Sequence, residues 1–290
     1  DHSNAIYSIF ILGKPKIVTC HDVIAIQAMK GRYSEYKTGF TGKILQKLIV
    51  LGLKVSPQIV CVSHNTESEL KTIMDAKRNK ITTIMQPLNY KFKPMDKEKA
   101  REVLNNELIK QKQVLDNGFI LHVGGNQWYK NRKGVCNIYI ELNRQREKEN
   151  KINIPLVLAG ERPTQEIEDL AERYKTNTII FIIKPTNIEI QALYTLASLL
   201  LFPSIHEGFG WPIVEAMACG CPVVTTDKRP MTEAGGDAAI YIDPSDYRSA
   251  AHKINEVLEW SESKSIKQRT KGYENIRRFS RDNFGKKYQA

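Results

Sequence analysis

The 290-residue chain is long enough for two domains with separate cores, and its composition is ordinary for a globular protein. Its formal net charge of +11 comes from Lys and Arg spread along the sequence, without the zinc-finger, RNP-like or heptad motifs of a nucleic-acid binder. The five cysteines lie apart, and Cys219-Gly-Cys221 lacks redox or zinc spacing, which argues against a disulfide framework and indicates a reducing compartment.

Targeting signals are not visible in the sequence. No signal peptide is visible at the amino end of the given sequence, and no apolar run in it approaches the length needed to span a bilayer. We therefore expect a cytoplasmic protein. The basic residues and the apolar segment Ile44–Leu53 leave peripheral contact with the inner face of the membrane open, although burial in the core is the preferred interpretation of that segment.

The amino half contains few regular elements. Lys16–Cys20, Ile59–Val62 and Ile81–Met85 are short, largely apolar runs that predict buried strands. Thr66-Glu67-Ser68-Glu69 has the spacing of a capping box and predicts the start of a helix. Another helix, with one apolar face against the core, is predicted from the spacing of Ile44, Leu45, Leu48, Ile49 and Leu51.

The second half alternates between apolar runs and helical patterns, after a predicted linker at Gln86–Asp96 and a charged helical stretch at Lys97–Gln113. The predicted strands are Phe119–Val123, Pro155–Ala159, Thr178–Ile183, Leu199–Phe202, Pro222–Thr225 and Ala238–Ile242. The predicted helices include Lys133–Arg146, Thr164–Tyr174, Asn187–Ala197 and Pro212–Cys219. This alternation predicts an α/β fold with a parallel sheet covered on both faces, whose ligands bind at the carboxyl ends of the strands.

One loop and the helix after it are the most informative part of the sequence. Seven residues separate Glu207 from Glu215, and between them Gly208 and Gly210 let the backbone approach a ligand closely. Pro212 suits the first turn of a helix, whose free amides attract anions, phosphate above all. Carboxylates on both sides of such a helix start can accept hydrogen bonds from hydroxyl groups. A nucleotide sugar, with a phosphate centre and hydroxyls at both ends, suits this arrangement.

Motifs of several other enzyme classes are missing. Gly208-Phe209-Gly210 lacks the third glycine of a dinucleotide fingerprint, whose place Ile213 takes. Neither a GxxxxGK[ST] phosphate loop nor a GxSxG elbow occurs, and His206-Glu207 is not followed by the second His of a zincin. No acidic pair of the DxD kind stands in a suitable loop either.

The segment Phe202–Asp243 resembles the donor domain of GT-B glycosyltransferases of the retaining family 4 type. The resemblance is carried by Glu207 and Glu215 in an E-x7-E pattern around Phe209-Gly210, then by Ala216-Met-Ala-Cys-Gly-Cys-Pro-Val-Val224, Thr232–Ala239 and Asp243-Pro244. Further matches follow the family's order over nearly the whole chain, at Lys16–Asp22, Val62-Ser63, Leu121–Gly125, Lys130-Asn131 and Leu158–Gly160. A bare pair of glutamates would be weak evidence, but the pair inside this context is specific.

The resemblance implies roles in donor binding. Glu207 would hold hydroxyls of the donor sugar, Glu215 would hold those of the ribose, and the backbone amides of Gly208, Phe209 and Gly210 would approach the sugar. The resemblance implies a retaining, metal-independent reaction, in which positive side chains and helix amides stabilise the leaving diphosphate. The missing DxD pair agrees with this, so we expect no metal and no cofactor, with the nucleotide sugar as co-substrate.

The resemblance also implies a basic residue for the diphosphate, after the first strand of the donor domain. The candidates are Lys130, Arg132 and Lys133; Lys130 is preferred, and Lys133 stays open. An arginine often found just after the glycine of that strand is replaced here by Gly125, which we include among the donor-binding residues.

Two further positions follow from the resemblance. The base would pack beside the loop that begins at Ile183-Lys184, mainly against backbone, and Gly160 with Glu161 would line the same cleft. His21, with Asp22 after it, ends a buried strand and occupies the place of the family's His-Asp pair. A neutral imidazole there could accept a proton, so we predict a catalytic role for His21 together with Glu207 and Lys130.

The resemblance implies a GT-B fold of two Rossmann-like domains with parallel sheets, the amino-terminal one incomplete in this chain. We predict the carboxyl part of an acceptor-side domain at residues 1–95, a linker and helix at 96–117, a donor-binding domain at 118–278 and a terminal helix at 279–290. The expected function is transfer of a sugar, with retention, from a nucleoside diphosphate sugar to a glycan or lipid-linked acceptor in polysaccharide biosynthesis. UDP is the preferred nucleotide and GDP the second.

Three alternatives stay open. A non-catalytic nucleotide-sugar-binding or scaffold protein of the same fold would bind nucleotide and turn nothing over. A nucleotide-sugar epimerase of the GT-B type fits the position of His21-Asp22 and the Glu207 segment less well. A basic nucleic-acid-binding module is the weakest alternative, and salt-dependent affinity for duplex or single strand would identify it.

Overall fold

The computed structural model describes residues 2–11, 13–34, 38–74, 80–104, 118–173 and 179–289. The chain forms two compact units. The first unit comprises Asp1–Pro87, His206–Gly210 and Phe279–Ala290, and the second comprises Leu88–Ile205 and Trp211–Arg278. Among the described residues, no helix is both long enough and apolar enough to cross a membrane.

Strands and helices alternate along most of the chain. The strands are β1 Ile17–Cys20, β2 Gln58–Cys61, β3 Lys80–Thr83, β4 Ile120–Gly124, β5 Leu156–Gly160, β6 Ile179–Ile183, β7 Leu199–Phe202, β8 Val223–Thr226 and β9 Ala239–Ile242. The helices are α1 Ile24–Met29, α2 Phe40–Lys54, α3 His64–Ile73, α4 Lys97–Val103, α5 Arg132–Lys148, α6 Gln165–Arg173, α7 Asn187–Leu196, α8 Trp211–Ala218, α9 Met231–Gly235, α10 Tyr247–Leu258, α11 Glu262–Ile276 and α12 Arg281–Gln289. Short 3₁₀ helices occur at His2–Ile9, Trp128–Lys130, Gly236–Ala238 and Arg277–Phe279.

The first unit is built on a three-stranded parallel sheet in the order β1-β2-β3. Its core contains inward residues of β1 and β2 and one face each of the helices around them, namely Ala5, Val18, Cys20, Val23, Ile26, Ile49, Leu53, Ile59, Cys61, Leu70 and Met74. Burial of this apolar surface is the main stabilising contribution to the unit. The predicted strands Lys16–Cys20, Ile59–Val62 and Ile81–Met85 are confirmed to within two residues.

The expectation that α2 buries its apolar residues in the core was wrong. Ile44, Leu45, Leu48 and Leu51 are 37% to 48% exposed, whereas Ile49 and Leu53 are buried. The backbone of α2 at Gly52 approaches the 3₁₀ helix His2–Ile9 so closely that a Cβ there would lie 2.1 Å from the carbonyl oxygen of Ala5. Because this contact fixes the rotation of the helix, the face with Ile49 and Leu53 points inward and the other apolar positions point outward.

The predicted start of α3 at Thr66 was also displaced. The helix begins at His64, and Ser63 is its N-cap, whose side chain accepts a hydrogen bond from the Thr66 amide at 3.0 Å. Ser63 lies two residues after β2 and has the extended backbone that an N-cap requires, so the helix starts earlier than the capping-box spacing indicated. Thr66 is instead a buried side chain inside the first turn.

The second unit contains a six-stranded parallel sheet in the order β6-β5-β4-β7-β8-β9. Each predicted strand of the second half is confirmed to within about one residue, apart from Thr178, which lies outside the described residues. The apolar core includes Ile120, Leu156, Leu158, Leu199, Leu201 and Val224 of the sheet together with apolar side chains of α5 and α10. The charged helix predicted at Lys97–Gln113 ends as α4 at Val103, and its last residues lie outside the described part of the chain.

Candidate functional site

The sheet of the second unit has a topological switch point between β4 and β7, the position where parallel α/β sheets bind ligands at their carboxyl ends. Gly124, Gly160 and Ile183 end β4, β5 and β6 and are partners in register. Gly160 has a φ of +141°, and a Cβ there would lie 2.1 Å from the Gly124 carbonyl oxygen, so only glycine fits. The Lys184 amide donates to the Gly160 carbonyl at 2.6 Å. Four of the predicted donor-binding positions thus lie together at the carboxyl ends of these strands, namely Gly125, Gly160, Ile183 and Lys184.

The loop after β4 is fixed by a buried arginine. One terminal nitrogen of Arg132 donates to the Asn126 side chain at 2.6 Å and to the Glu161 carbonyl at 3.1 Å. The Glu161 carboxylate accepts a hydrogen bond from the Asn126 amide at 2.9 Å, and a Cβ at Gly125 would lie 3.0 Å from that carboxylate. Burial lowers the pKa of Arg132. This candidate cation therefore holds the loop together.

The other two basic candidates lie in different surroundings. The Lys133 ammonium forms an ion pair with Glu166 at 2.5 Å, and both side chains are more than half exposed. The Lys130 ammonium lies over the rings of Tyr129 and Phe202, at 5.8 and 5.5 Å from their centroids. Its positive charge also lowers the pKa of Glu215. Lys130 therefore shares an electrostatic environment with a predicted site carboxylate, whereas Lys133 lies at the surface.

Glu215 lies on α8, one turn after the helix begins. Its carboxylate accepts a hydrogen bond from the hydroxyl of Tyr194 on α7 at 3.0 Å. Burial raises the pKa of Glu215 to about 7, while the Tyr194 hydrogen bond and the Lys130 charge act in the opposite direction. A carboxylate in such surroundings is stabilised by additional hydrogen-bond donors, and ligand hydroxyls can supply them.

The remaining predicted residues belong to the first unit, where the loop His206–Gly210 packs at the carboxyl ends of β1 and β2. The Gly208 carbonyl accepts hydrogen bonds from the hydroxyls of Ser63 at 2.6 Å and Thr66 at 3.1 Å. A Cβ at Gly208 would lie 2.0 Å from the carbonyl oxygen of His21, so glycine is required for the loop to approach. The predicted donor loop and the predicted catalytic histidine are therefore neighbours.

The side chains of this loop and of the His-Asp pair are partly buried. Glu207 is only 8% exposed, and Phe209 packs edge-on against Phe279 with a centroid distance of 5.3 Å. The Asp22 carboxylate accepts from the Ile24 amide at 3.0 Å, at the start of α1. Burial lowers the pKa of His21, and the Asp22 charge raises it. The imidazole is therefore favoured in its neutral form, which can accept a proton.

Sequence reasoning missed two residues at the switch point. Tyr194 was one apolar-patterned position among many in a predicted helix, and nothing in its spacing indicated a hydroxyl directed at Glu215. His122 lies at the centre of β4, fully buried, with Nδ1 at 3.0 Å from the Leu201 carbonyl oxygen. Burial lowers the pKa of His122 to about 3, so it is neutral at physiological pH. Among the described residues, no group of three or more His, Cys, Asp or Glu side chains could hold a metal ion.

Two α/β units, each built on a parallel sheet, are the architecture of GT-B proteins, and this chain has the GT-B fold. Residues 105–278 match the sequence model of the family described as glycosyl transferases group 1, and the chain belongs to this family.

The chain is similar to the O-antigen chain mannosyltransferase B of Escherichia coli, with 26% identity over 246 residues, 84% of this chain and 61% of the relative. It is also similar to the capsular polysaccharide biosynthesis glycosyltransferase CapM of Staphylococcus aureus, with 23% identity over 81% of this chain and 61% of the relative. The chain thus spans about three fifths of the length of these relatives.

Solved structures share the fold. HepE of Anabaena, crystallised in complex with UDP and glucose, superposes with a TM-score of 0.76 at 17% identity, covering 100% of this chain and 75% of HepE. A sucrose-phosphate synthase from Thermosynechococcus elongatus superposes with a TM-score of 0.70 at 20% identity, covering 94% of this chain and 67% of that structure.

Proposed function

We propose that this chain carries the donor-binding and reaction residues of a glycosyltransferase that makes polysaccharide, moving a hexose from a nucleoside diphosphate sugar to a glycan or lipid-linked acceptor. The observation that carries the proposal is the switch-point edge of the second unit. There the partly buried carboxylate of Glu215 accepts a hydrogen bond from the Tyr194 hydroxyl, and Lys130 supplies positive charge. Gly160, which has no side chain, lets the backbones of β4 and β5 approach each other closely at this position. This set suits a ribose diol beside a diphosphate.

The relatives and the structural neighbours suggest which donors to test first. Two of the relatives, mannosyltransferase B of Escherichia coli and RfbU of Salmonella typhimurium, are O-antigen chain mannosyltransferases, and HepE was crystallised with UDP-glucose. Mannose is therefore the first sugar to test, with GDP and UDP as the nucleotides to compare. Glu207 and the loop around Gly208 are assigned to the sugar, and His21 to the reaction centre, on the family pattern and the buried positions of Glu207 and Gly208.

Retention without a metal ion is part of the proposal. Positive side chains and backbone amides would stabilise the leaving diphosphate, and the acceptor hydroxyl would attack from the face that the diphosphate leaves. As the bond from the acceptor oxygen to the anomeric carbon forms and the bond to the diphosphate breaks, the departing phosphate takes the proton of the acceptor hydroxyl, so no metal ion is needed to activate that hydroxyl.

Peripheral membrane contact is the remaining part of the proposal. The exposed face of α2 carries Ile44, Leu45, Leu48 and Leu51, and its sequence contains three lysines and no acidic residue. A helix with apolar and basic residues on its exposed side suits the interface of a membrane with anionic lipids, where a lipid-linked acceptor would reside.

The test is a donor assay on the full chain. GDP-mannose, UDP-glucose and their counterparts with exchanged nucleotides are incubated with the protein and a simple glycoside, methyl α-mannoside, as the acceptor. Nucleotide release and the anomeric configuration of the new glycosidic bond are followed by NMR. We expect one donor to be consumed with retention, with unchanged rate in EDTA. Glu207→Gln should lower turnover at least tenfold, with Glu262→Gln, an exposed carboxylate on α11, as the matched control.

Each outcome discriminates between the candidate functions. Nucleotide binding without turnover in any donor would favour the scaffold alternative, and loss of activity in EDTA would overturn the metal-independent step. Unchanged turnover in a well-folded Glu207→Gln protein would overturn the assignment of that residue.

A further inference from the structure

The contact between Tyr194 and Glu215 is the observation from which we start. Tyr194 is fully buried on α7, and its hydroxyl donates to one carboxylate oxygen of Glu215, Oε2, at 3.0 Å. Burial raises the pKa of Tyr194, so the hydroxyl keeps its proton and acts as the donor. Within the described residues, no other hydrogen bond to the Glu215 carboxylate is seen. The second oxygen, Oε1, is therefore the one on which a ligand hydroxyl is expected.

The tyrosine is itself held in place. Its ring packs edge-on against Phe92, with a centroid distance of 6.0 Å and an interplanar angle of 76°. The segment that carries Phe92 is hydrogen-bonded to two residues of α7. The Gln191 side chain donates to the Lys93 carbonyl at 2.9 Å, and the Met95 amide donates to the Thr195 hydroxyl at 3.3 Å. The hydroxyl of Tyr194 thus has a fixed position from which to orient Glu215.

Tyr139 shows what a purely structural tyrosine looks like in the same unit. It is also fully buried, and its hydroxyl donates to the Ile154 carbonyl at 2.9 Å. A backbone carbonyl is a sufficient hydrogen-bond partner for a buried hydroxyl, and no ligand is involved. Tyr194 differs because its partner is an ionisable side chain that needs further donors. Tyr139 is therefore the matched control for Tyr194.

We propose that Tyr194 is a positioning residue for nucleotide binding: its hydroxyl fixes Oε2 of Glu215 and thereby presents Oε1 to the ribose diol of a nucleoside diphosphate. The proposal rests on the proposed function, because it takes Glu215 as the ribose-binding group. It adds a residue on a second helix, α7, to the determinants of donor affinity.

The contact has a consequence for pH. Burial raises the pKa of Glu215 to about 7, and the hydrogen bond from Tyr194 is one of two influences that lower it. The other is the positive charge of Lys130. Cys219, the first residue after α8, is neutral, since burial raises its pKa to about 12. Removing the Tyr194 hydroxyl therefore raises the pKa of Glu215 further, and fewer molecules carry the carboxylate at pH 7.

The test is calorimetric titration of the full chain with UDP and with GDP between pH 6.5 and 8.5, on wild type, Tyr194→Phe, Tyr139→Phe and Glu215→Gln. We expect Tyr194→Phe to lower the affinity for the better-bound nucleotide about tenfold at pH 7, as for a lost hydrogen bond to a charged group. At pH 8.5 the affinity of this variant should be much closer to that of wild type. Tyr139→Phe should follow wild type throughout. Glu215→Gln reports the pH dependence that belongs to the nucleotide itself.

A double variant keeps the proposal testable if Tyr194→Phe alone does not fold. In Tyr194→Phe/Glu215→Gln, a neutral amide replaces the carboxylate that would otherwise lose its donor. We expect this protein to bind the nucleotide as Glu215→Gln does, because Tyr194 acts through Glu215.

Four results would count against the proposal. A further loss of affinity in the double variant, or a pH-independent loss in Tyr194→Phe, would show that Tyr194 has only a packing role. Equal binding by Tyr194→Phe and wild type at pH 7 would overturn the positioning role while leaving the proposed function intact. Absence of UDP and GDP binding in wild type would overturn both.

Discussion

At the scale of single residues, the environment of Glu215 determines what this carboxylate can do. Burial disfavours its charge, whereas Tyr194 and Lys130 favour it, and the balance places its pKa at about 7. A group poised in this way changes its affinity for hydroxyl donors within the physiological range of pH.

Replacing Glu215 should change how stability depends on pH. Its pKa in the folded protein, about 7, lies above the ordinary value of 4.5. Between these two pH values the Glu215 carboxyl is therefore mostly protonated in the folded protein and mostly ionised in the unfolded chain. Raising the pH from about 4.5 to 7 therefore lowers the stability of wild type relative to Glu215→Gln, by up to about 3 kcal/mol at pH 8, since one pKa unit corresponds to about 1.4 kcal/mol. Urea unfolding at pH 5 and pH 8 measures the difference. A stability difference between the two proteins that is the same at both pH values would refute it.

At the scale of elements, the cap of α3 performs two tasks. Ser63 accepts the hydrogen bond that satisfies an amide of the first turn, and its hydroxyl donates to the Gly208 carbonyl in the loop His206–Gly210. Thr66 in the same turn donates to the same carbonyl. The start of a helix thus anchors the loop that carries the predicted sugar-binding residues, through backbone atoms that the sequence pattern does not show.

Ser63→Ala should cost more stability than loss of an ordinary cap. We expect about 2 kcal/mol, because the cap is lost and the partly buried Gly208 carbonyl keeps only one of its two donors. The matched control is Ser261→Ala, which removes the cap of α11, an exposed serine that accepts from the Lys264 amide at 3.4 Å. That change should cost about 0.5 kcal/mol. Thermal and urea unfolding of the two variants measure the difference, and equal losses would contradict the double role.

At the scale of the whole molecule, the net charge and the exposed apolar residues of α2 both bear on the proposed membrane contact. The chain carries a formal net charge of +11, and α2 presents Lys43, Lys47 and Lys54 beside its exposed apolar side chains. Both features favour an anionic, partly apolar surface over a neutral one.

Vesicle binding tests this combination. The full chain should sediment with vesicles of phosphatidylcholine and phosphatidylglycerol at low salt, less so at 0.5 M salt (about three times physiological ionic strength), and not with pure phosphatidylcholine. Leu45→Glu should weaken binding several-fold, because it places a like charge against anionic lipid. Ile266→Glu, on α11 and exposed to a similar degree, is the control and should bind as wild type does. Equal binding by both variants would exclude α2 as the contact.

The sequence by itself predicted the architecture of the second unit. Runs such as Leu199–Phe202 are apolar at every position, and a strand buried on both faces of a parallel sheet needs that pattern. Glycines at the ends of β4 and β5 and the E-x7-E spacing predicted where a ligand would bind, because close approach and helix starts depend on local backbone chemistry.

Only the tertiary structure decided which of several equivalent residues face one another. Lys130, Arg132 and Lys133 were comparable in the sequence, and packing separated them into a cation near Glu215, a buried loop anchor and a surface ion pair. The outward face of α2 depends on contact between Gly52 and Ala5, which lie 47 positions apart in the chain. Tyr194 meets Glu215 across two helices. Contacts between positions far apart in the chain depend on how the helices and strands pack, and local periodicity in the sequence does not predict them.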